Sequence, residues 1–167
     1  MIGLAFTLAL SRKKNFKIAI IEPHECNPEI RSSFHTRVSA ITPSSKDFLS
    51  SINVWDDINR KQGFISTRVW DQNSHGHLNF YAKDEGIEHL GFIVENDLIQ
   101  SALYSVIAKT KVQIIHAKLD ELIKNEFGYE IALDNKQRLF CKLVVGADGA
   151  RYQRASGGQR PGGPCAN

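Results

Sequence analysis

Two residues near the start of the chain have the spacing of a dinucleotide-binding unit. Gly3 precedes a predicted apolar helix, and Glu22 ends a buried strand predicted over 16–21. They lie 22 − 3 = 19 positions apart, close to the ~20 positions between a GxGxxG turn and the acid that binds a ribose. The sequence supplies the last of the three glycines, without the two earlier ones or the strand before them. The alternative is a glycine that only lets the helix pack closely.

A second glycine-rich turn lies near the other end of the chain. The apolar run Leu143–Val145 leads directly into Gly146-Ala147-Asp148-Gly149. Such a run predicts a strand buried on both faces of a parallel sheet. Small residues at its carboxyl end let backbone N–H groups approach a ligand, and Asp148 would place a carboxylate beside it. The alternative is an ordinary turn between a strand and a loop.

Arg37 is a candidate phosphate ligand. It follows a polar loop over 23–34 and precedes a helix start at Thr42-Pro43, where a threonine N-cap comes before proline at the first helical position. A guanidinium binds a phosphate through two parallel hydrogen bonds. A surface arginine without a function is the alternative.

The elements that would position these residues form an α/β fold. The segments 16–21, 112–115 and Leu143–Val145 are short apolar runs with helical patterns between them, so we expect neighbouring parallel strands. A helix from about Asp97 to Lys109 should pack on their sheet. If the polar candidates share one site, they should converge at the carboxyl edge of that sheet: Gly3, Glu22, Arg37 and Asp148.

The middle of the chain predicts antiparallel structure. Turn-prone residues at 74–76 lie between two strand-like segments and predict a hairpin. His75 and His77 lie two positions apart, but no third ligand has suitable spacing, so no metal site is predicted. A β-meander is predicted from Leu119 onward.

Composition limits the class of protein. The chain has 167 residues, of which 42% are hydrophobic and 23% charged, which is typical of one globular domain. A net charge of +3 with scattered basic residues argues against a nucleic-acid partner. Cys26, Cys141 and Cys165 fit neither a disulfide framework nor a CxxC metal site, so we expect a cytoplasmic location. The apolar run 2–10 is followed, not preceded, by basic residues and is far below the ~20 residues of a membrane span.

Several pieces of the sequence carry a joint resemblance to one family. In chain order they are Met1-Ile2-Gly3-Leu4-Ala5, Arg37-Val38-Ser39-Ala40-Ile41, Leu49 with Val54-Trp55, Val69-Trp70-Asp71, Leu90-Gly91-Phe92-Ile93-Val94-Glu95-Asn96, Ala102-Leu103 and the run from Leu143 to Gly149. As a set they resemble the FAD-dependent aromatic monooxygenases of ubiquinone biosynthesis, within the p-hydroxybenzoate hydroxylase-like flavoproteins. The resemblance covers positions 1 to about 150 and only the amino-terminal part of such an enzyme.

The resemblance implies a fold and a reaction. The fold is an incomplete Rossmann-like, three-layer FAD-binding domain over 1–150, with a parallel central sheet, a β-meander and, over 64–92, the start of a substrate-side sheet. The reaction uses FAD, NADH or NADPH, and O₂ to hydroxylate an aromatic ring, and the cofactor supplies the difficult chemistry. A polyprenylated phenol is a candidate substrate, and peripheral association with the inner face of a membrane is compatible with it. The oligomeric state is left open.

The resemblance also implies residue roles. Gly3 belongs to the pyrophosphate turn, Glu22 binds the adenosine ribose, and Arg37 meets the cofactor phosphates or the flavin edge. Asp148 and Gly149 belong to a second motif of the family, which contacts FAD and the nicotinamide cofactor. No catalytic acid or base is predicted.

Two departures from the family pattern lead to a different expectation for this polypeptide. After the Asp-Gly turn the family pattern continues with alanine, any residue and serine, and here Tyr152 replaces that serine. Residues 151–167 lack apolar periodicity, which predicts a disordered or foreign tail. The later Gly-Asp motif and most of the substrate domain are missing. Because two of the three fingerprint glycines and the strand before them are also missing, we expect weak FAD binding and no turnover. The alternatives are a non-catalytic truncated remnant, a weak nucleotide-binding module, or an NAD-dependent dehydrogenase. A dehydrogenase would share Gly3 and Glu22 but would leave the Arg37 motif unexplained.

Overall fold

The computed structural model describes residues 1–13, 16–24, 33–72 and 75–149. These residues form two compact units. Unit 1 contains the described residues within 1–18 and 26–112, and unit 2 contains those within 19–25 and from 113 onward. The predicted tail over 151–167, together with Cys26 and Cys165, lies outside the described residues.

The described residues contain three α-helices and ten strands, together with 3₁₀ turns at Trp55–Asp57 and Ala82–Glu85. The helices are α1 (Ile2–Ser11), α2 (Pro43–Ser51) and α3 (Asn96–Ile107). The strands are β1 (Ala19–Ile21), β2 (Val38–Ile41), β3 (Lys61–Phe64), β4 (Ser66–Trp70), β5 (His77–Tyr81), β6 (Gly91–Glu95), β7 (Gln113–Ile115), β8 (Leu119–Asn125), β9 (Gly128–Leu133) and β10 (Arg138–Cys141). Within the described ranges, every helix is too short or too polar to cross a membrane.

Helices α1 and α3 pack on each other in unit 1. Leu4, Thr7 and Leu8 of α1 are buried, at the i, i+3, i+4 spacing that places side chains on one helix face. Helix α3 buries five apolar side chains, those of Leu98, Ile99, Ala102, Leu103 and Ile107. Both helices were predicted from this periodicity and are confirmed, α3 with slightly different ends.

A three-stranded antiparallel sheet in unit 1 has the order β2-β6-β3. Val38 is paired with Glu95 between β2 and β6, and Lys61 with Val94 between β3 and β6. Strand β6 continues directly into α3, so the end of β6 and the first turn of α3 lie beside the start of β2. The sheet therefore places the segment before β2, which contains Arg37, next to Glu95.

Helix α2 begins where the sequence predicts. The hydroxyl of Thr42 accepts a hydrogen bond from the N–H of Ser45 at 3.3 Å, and Pro43 occupies the first helical position. The chain after α2 returns to the core of unit 1 and buries Val54, Trp55 and Ile58. The Trp55 ring meets Phe92 of β6 edge to face, with centroids 5.1 Å apart.

The predicted hairpin is the antiparallel ribbon of β4 and β5. All ten residues of these two strands are exposed, including Trp70 at 69% and Leu78 at 63%. The described residues therefore leave both faces of this ribbon open to solvent.

Unit 2 combines a parallel pair with a meander. Strands β1 and β7 are parallel, with Ile20 opposite Ile114, and β8, β9 and β10 form an antiparallel sheet with β9 in the centre. Its core consists of four buried residues, Ile115, Ala117, Ile131 and Leu133. The predicted α/β class, the parallel pairing of 16–21 with 112–115, and the meander are confirmed, although β1 begins only at Ala19.

The prediction of a strand at Leu143–Val145 is wrong. These residues have no strand conformation, and Leu143 and Val145 are 70% and 53% exposed. Only Val144 packs against the core of unit 2. A strand requires a hydrogen-bonded neighbour as well as apolar side chains, and none of the described strands pairs with this segment.

Candidate cofactor-binding site

The Arg37 segment, residues 33–37, is fixed through its backbone. The N–H of Arg37 donates to Nδ1 of His35 at 3.1 Å, and its carbonyl accepts from the N–H of Asn96 at 3.0 Å. The side chain is exposed, and no other described residue forms a hydrogen bond or ion pair with its guanidinium. Arg37 therefore combines a fixed backbone with a cationic group that is free to meet a ligand.

A buried carboxylate lies behind this segment. Glu95 is 6% exposed, and its Oε1 lies 3.0 Å from Nε of Arg60, while Nη2 of Arg60 donates to Oε2 at 3.1 Å. Oε2 also accepts the backbone N–H of His35 at 2.7 Å. Burial of a carboxylate is tolerated when it is paired and hydrogen-bonded in this way.

The first turn of α3 adds two further contacts. The hydroxyl of Ser39 donates to Oδ1 of Asn96 at 2.5 Å, and Nε2 of His35 lies 3.5 Å from Oδ2 of Asp97. Because Nδ1 of His35 accepts from Arg37, the proton of the neutral ring is on Nε2, which faces Asp97. The imidazole therefore connects α3 to the backbone of Arg37.

Gly3 lies in the first turn of α1. The first intrahelical bond runs from the N–H of Ala5 to the carbonyl of Met1, so the N–H groups of Ile2, Gly3 and Leu4 precede the helical ladder. The first turn contains no acidic residue. Free N–H groups and a positive dipole end are the features that bind an anion at a helix start.

Glu22 lies immediately after β1 in unit 2. Its N–H donates to the carbonyl of Ile115 at 3.0 Å, which extends the parallel pairing by one residue. Its own carbonyl lies 3.2 Å from Nδ1 of His116, and its Oε1 lies 3.5 Å from Nδ1 of His24. The backbone is therefore fixed, and the carboxylate lies at the carboxyl end of the strand.

Asp148 and Gly149 are exposed in unit 2. Gly149 has φ 76°, and a Cβ there would meet no atom within 4 Å. The turn thus uses glycine for its backbone conformation and not for lack of space.

The four residues expected to converge lie in different units. Gly3 and Arg37 belong to unit 1, whereas Glu22 and Asp148 belong to unit 2. Their convergence at one sheet edge stays a prediction, as do the roles assigned to them and to Gly149.

The sequence reasoning missed the support around Arg37. The sequence places Glu95 and Asn96 in a family-like segment just before the predicted helix at Asp97, but it assigns them no role in the site. Nothing in the sequence indicates that Arg60 pairs with Glu95, because the two residues lie 35 positions apart. A single arginine near a strand is also common on protein surfaces.

Solved structures define the class of fold. PqsL, a probable FAD-dependent monooxygenase from Pseudomonas aeruginosa, is similar with a TM-score of 0.61 at 15% identity, over 88% of this chain and 39% of that one. The p-nitrophenol 4-monooxygenase PnpA from Pseudomonas putida DLL-E4 is similar with a TM-score of 0.58 at 13% identity, over 79% and 33%. The chain thus has part of the fold of FAD-dependent monooxygenases.

Curated sequences narrow that class. The chain is 31% identical to 3-demethoxyubiquinol 3-hydroxylase of Escherichia coli (strain K12), over 92% of this chain and 40% of that protein. It is 30% identical to the ubiquinone biosynthesis monooxygenase COQ6 of Xenopus tropicalis, over 89% and 36%. No protein-family model matches the chain. The predicted resemblance to the monooxygenases of ubiquinone biosynthesis is confirmed, and the chain spans less than half the length of these relatives.

Proposed function

We propose that the chain forms part of the cofactor-binding region of an FAD-dependent monooxygenase that hydroxylates an aromatic ring in ubiquinone biosynthesis. The observation that carries this proposal is the fixed backbone and exposed guanidinium of Arg37. The names of the two relatives support the reaction and the pathway.

The chemistry of the described residues fits FAD. A pyrophosphate needs N–H donors and positive charge, which the start of α1 at Gly3 and the guanidinium of Arg37 provide. A ribose needs a hydrogen-bond acceptor for its hydroxyl groups, which the carboxylate of Glu22 provides. The exposed turn at Asp148 and Gly149 would let the backbone approach the cofactor closely.

When bound and reduced, FAD supplies the activation of O₂ and the transfer of one oxygen atom to the ring. The residues of this chain bind and orient the cofactor. Arg37 would neutralise phosphate charge, and the N–H groups beside Gly3 would donate hydrogen bonds to the pyrophosphate. The α3 turn at Asn96 keeps the backbone of Arg37 in place while it does so.

The finer assignments extend this proposal. The reductant is NADH or NADPH, and the substrate is a small aromatic molecule such as a polyprenylated phenol. An apolar substrate of that kind is compatible with a cytoplasmic protein that associates peripherally with the inner face of a membrane.

A second candidate is a nucleotide-binding module without catalysis. Strands β4 and β5 are exposed along their whole length, so no described residue packs on this ribbon to close a substrate pocket against it. Such an open ribbon is compatible with a module that binds a nucleotide without catalysis. Oxygen uptake with NADH or NADPH and excess FAD distinguishes the two. Uptake supports the monooxygenase, and FAD binding without uptake supports the module.

Equilibrium titration of FAD, followed by quenching of flavin fluorescence, tests the proposal. We expect saturable binding, because the start of α1 at Gly3 and the guanidinium of Arg37 supply hydrogen-bond donors and positive charge for the pyrophosphate. ADP should compete with FAD, since Gly3 and Glu22 are assigned to the adenosine diphosphate half. Riboflavin, which lacks that half, should not compete. Absence of any saturable binding would contradict the proposal.

A further inference from the structure

The Arg37 segment depends on one side chain that contacts it from two sides. The guanidinium of Arg60 lies over the ring of Phe34, 5.1 Å from its centroid, and the same guanidinium forms the two contacts with Glu95. Glu95 in turn accepts the N–H of His35. Arg60 thus meets the segment directly through Phe34 and indirectly through Glu95.

Among the described residues, Arg60 and not Arg37 is the cation paired with Glu95. Glu95 is buried, and a buried carboxylate is stable only beside a cation. Arg60 pairs with it through a hydrogen bond from Nη2 to Oε2, and its Nε lies 3.0 Å from Oε1. Glu95 therefore does not need Arg37 as a partner, and the Arg37 guanidinium stays exposed.

We propose that Arg60 and Glu95 are positioning residues that hold the segment 33–37 so that Arg37 is presented to the phosphates of FAD. This inference rests on the proposed function. It assigns Arg60 and Glu95 no contact with the cofactor, and their effect on FAD passes through Arg37 alone.

The test is a double-mutant cycle on FAD affinity in the full 167-residue chain. Arg37→Ala should weaken FAD binding about tenfold or more, and Arg60→Gln about three- to tenfold. The double variant should bind no more weakly than Arg37→Ala, because Arg60 acts through Arg37. If the two effects multiply in the double variant, Arg60 acts independently and the inference is overturned.

Amide hydrogen exchange reports on positioning without FAD. Arg60→Gln should accelerate exchange at the amides of His35 and Arg37 at least tenfold, with little change at Ile93 in β6. The matched control is Arg138→Gln, which removes the other described Arg–Glu pair, between Arg138 and Glu130 in unit 2. It should leave exchange at His35 and FAD affinity unchanged.

Loss of Arg60 alone leaves a buried charge unpaired, which can destabilise the fold. The variant R60M/E95L avoids this, because two apolar side chains replace the ion pair, and it should still loosen the segment because the acceptor of the His35 N–H is lost. If exchange at His35 is unchanged in folded R60M/E95L, the inference is wrong even when FAD binds. If the wild-type chain binds no FAD, the proposed function fails, and the presentation of Arg37 to FAD fails with it, whatever the exchange data show.

Discussion

The backbone N–H of His35 donates to the buried carboxylate of Glu95 at 2.7 Å, across 60 positions of sequence. This bond joins an irregular segment to the end of β6, two residues before Arg37. It explains how an exposed arginine outside regular structure can have a defined position, because its neighbours are fixed to the core on both sides.

Breaking the ion pair on one side should cost more than replacing both partners. Arg60→Ala leaves the Glu95 carboxylate buried and unpaired, at a cost of about 3 kcal/mol in the free energy of unfolding. Arg60→Met combined with Glu95→Leu should cost only about 1 kcal/mol, chiefly for the lost acceptor of the His35 N–H. Urea denaturation measures both. A double variant that is less stable than Arg60→Ala would contradict this account of the pair.

Two leucine-to-alanine substitutions compare the stability contribution of the buried core with that of the segment Leu143–Val145, which the sequence wrongly predicts to be a buried strand. Leu103 is 1% exposed in α3, so Leu103→Ala should destabilise the protein by about 2–5 kcal/mol. Leu143 is 70% exposed, and Leu143→Ala should change stability by less than about 0.5 kcal/mol. Thermal or urea unfolding measures the difference. A large loss at Leu143 would indicate the buried strand that the sequence predicted.

Two glycines with positive φ should respond differently to alanine. Gly128 has φ 145°, and a Cβ there would lie 2.2 Å from the carbonyl oxygen of Cys141. Gly128→Ala must therefore displace β10, and we expect a loss of about 3 kcal/mol. At Gly149 a Cβ has open space, so Gly149→Ala should cost only the ~1 kcal/mol of a left-handed conformation. Equal losses in unfolding experiments would be inconsistent with this geometry.

The elements predicted correctly depend on local signals. The periodicity of Leu4 and Leu8 defines α1, the Thr42-Pro43 pair defines the start of α2, and short apolar runs define the parallel pair β1 and β7. In each case residues within a few positions of one another determine the backbone conformation.

The errors concern pairing between distant segments. Leu143–Val145 has the composition of a buried strand, but composition does not specify a hydrogen-bonding neighbour, and the described strands provide none. Strand β3 was not predicted as such, because Lys61, Gln62 and Gly63 are a poor strand sequence. It forms through its pairing with β6.

The sequence predicts the candidate site residues themselves, whose roles stay predictions, and it does not predict the residues that support them. Arg37 was recognisable because its residue type suits a phosphate and its motif resembles a family. The Arg60–Glu95 pair depends on tertiary contact across 35 positions, and no spacing rule reports such a pair.

The most direct measurement is the dissociation constant of FAD for the 167-residue chain and for two matched arginine variants. Arg37→Ala should weaken binding at least about tenfold, since one charge-assisted contact to a phosphate contributes about 1.5–3 kcal/mol. Arg68→Ala removes another exposed arginine, in strand β4, and should leave the constant unchanged. The account predicts saturable quenching of flavin fluorescence with that difference between the variants. Equal affinity of Arg37→Ala and wild type, or no saturable binding at all, would contradict it.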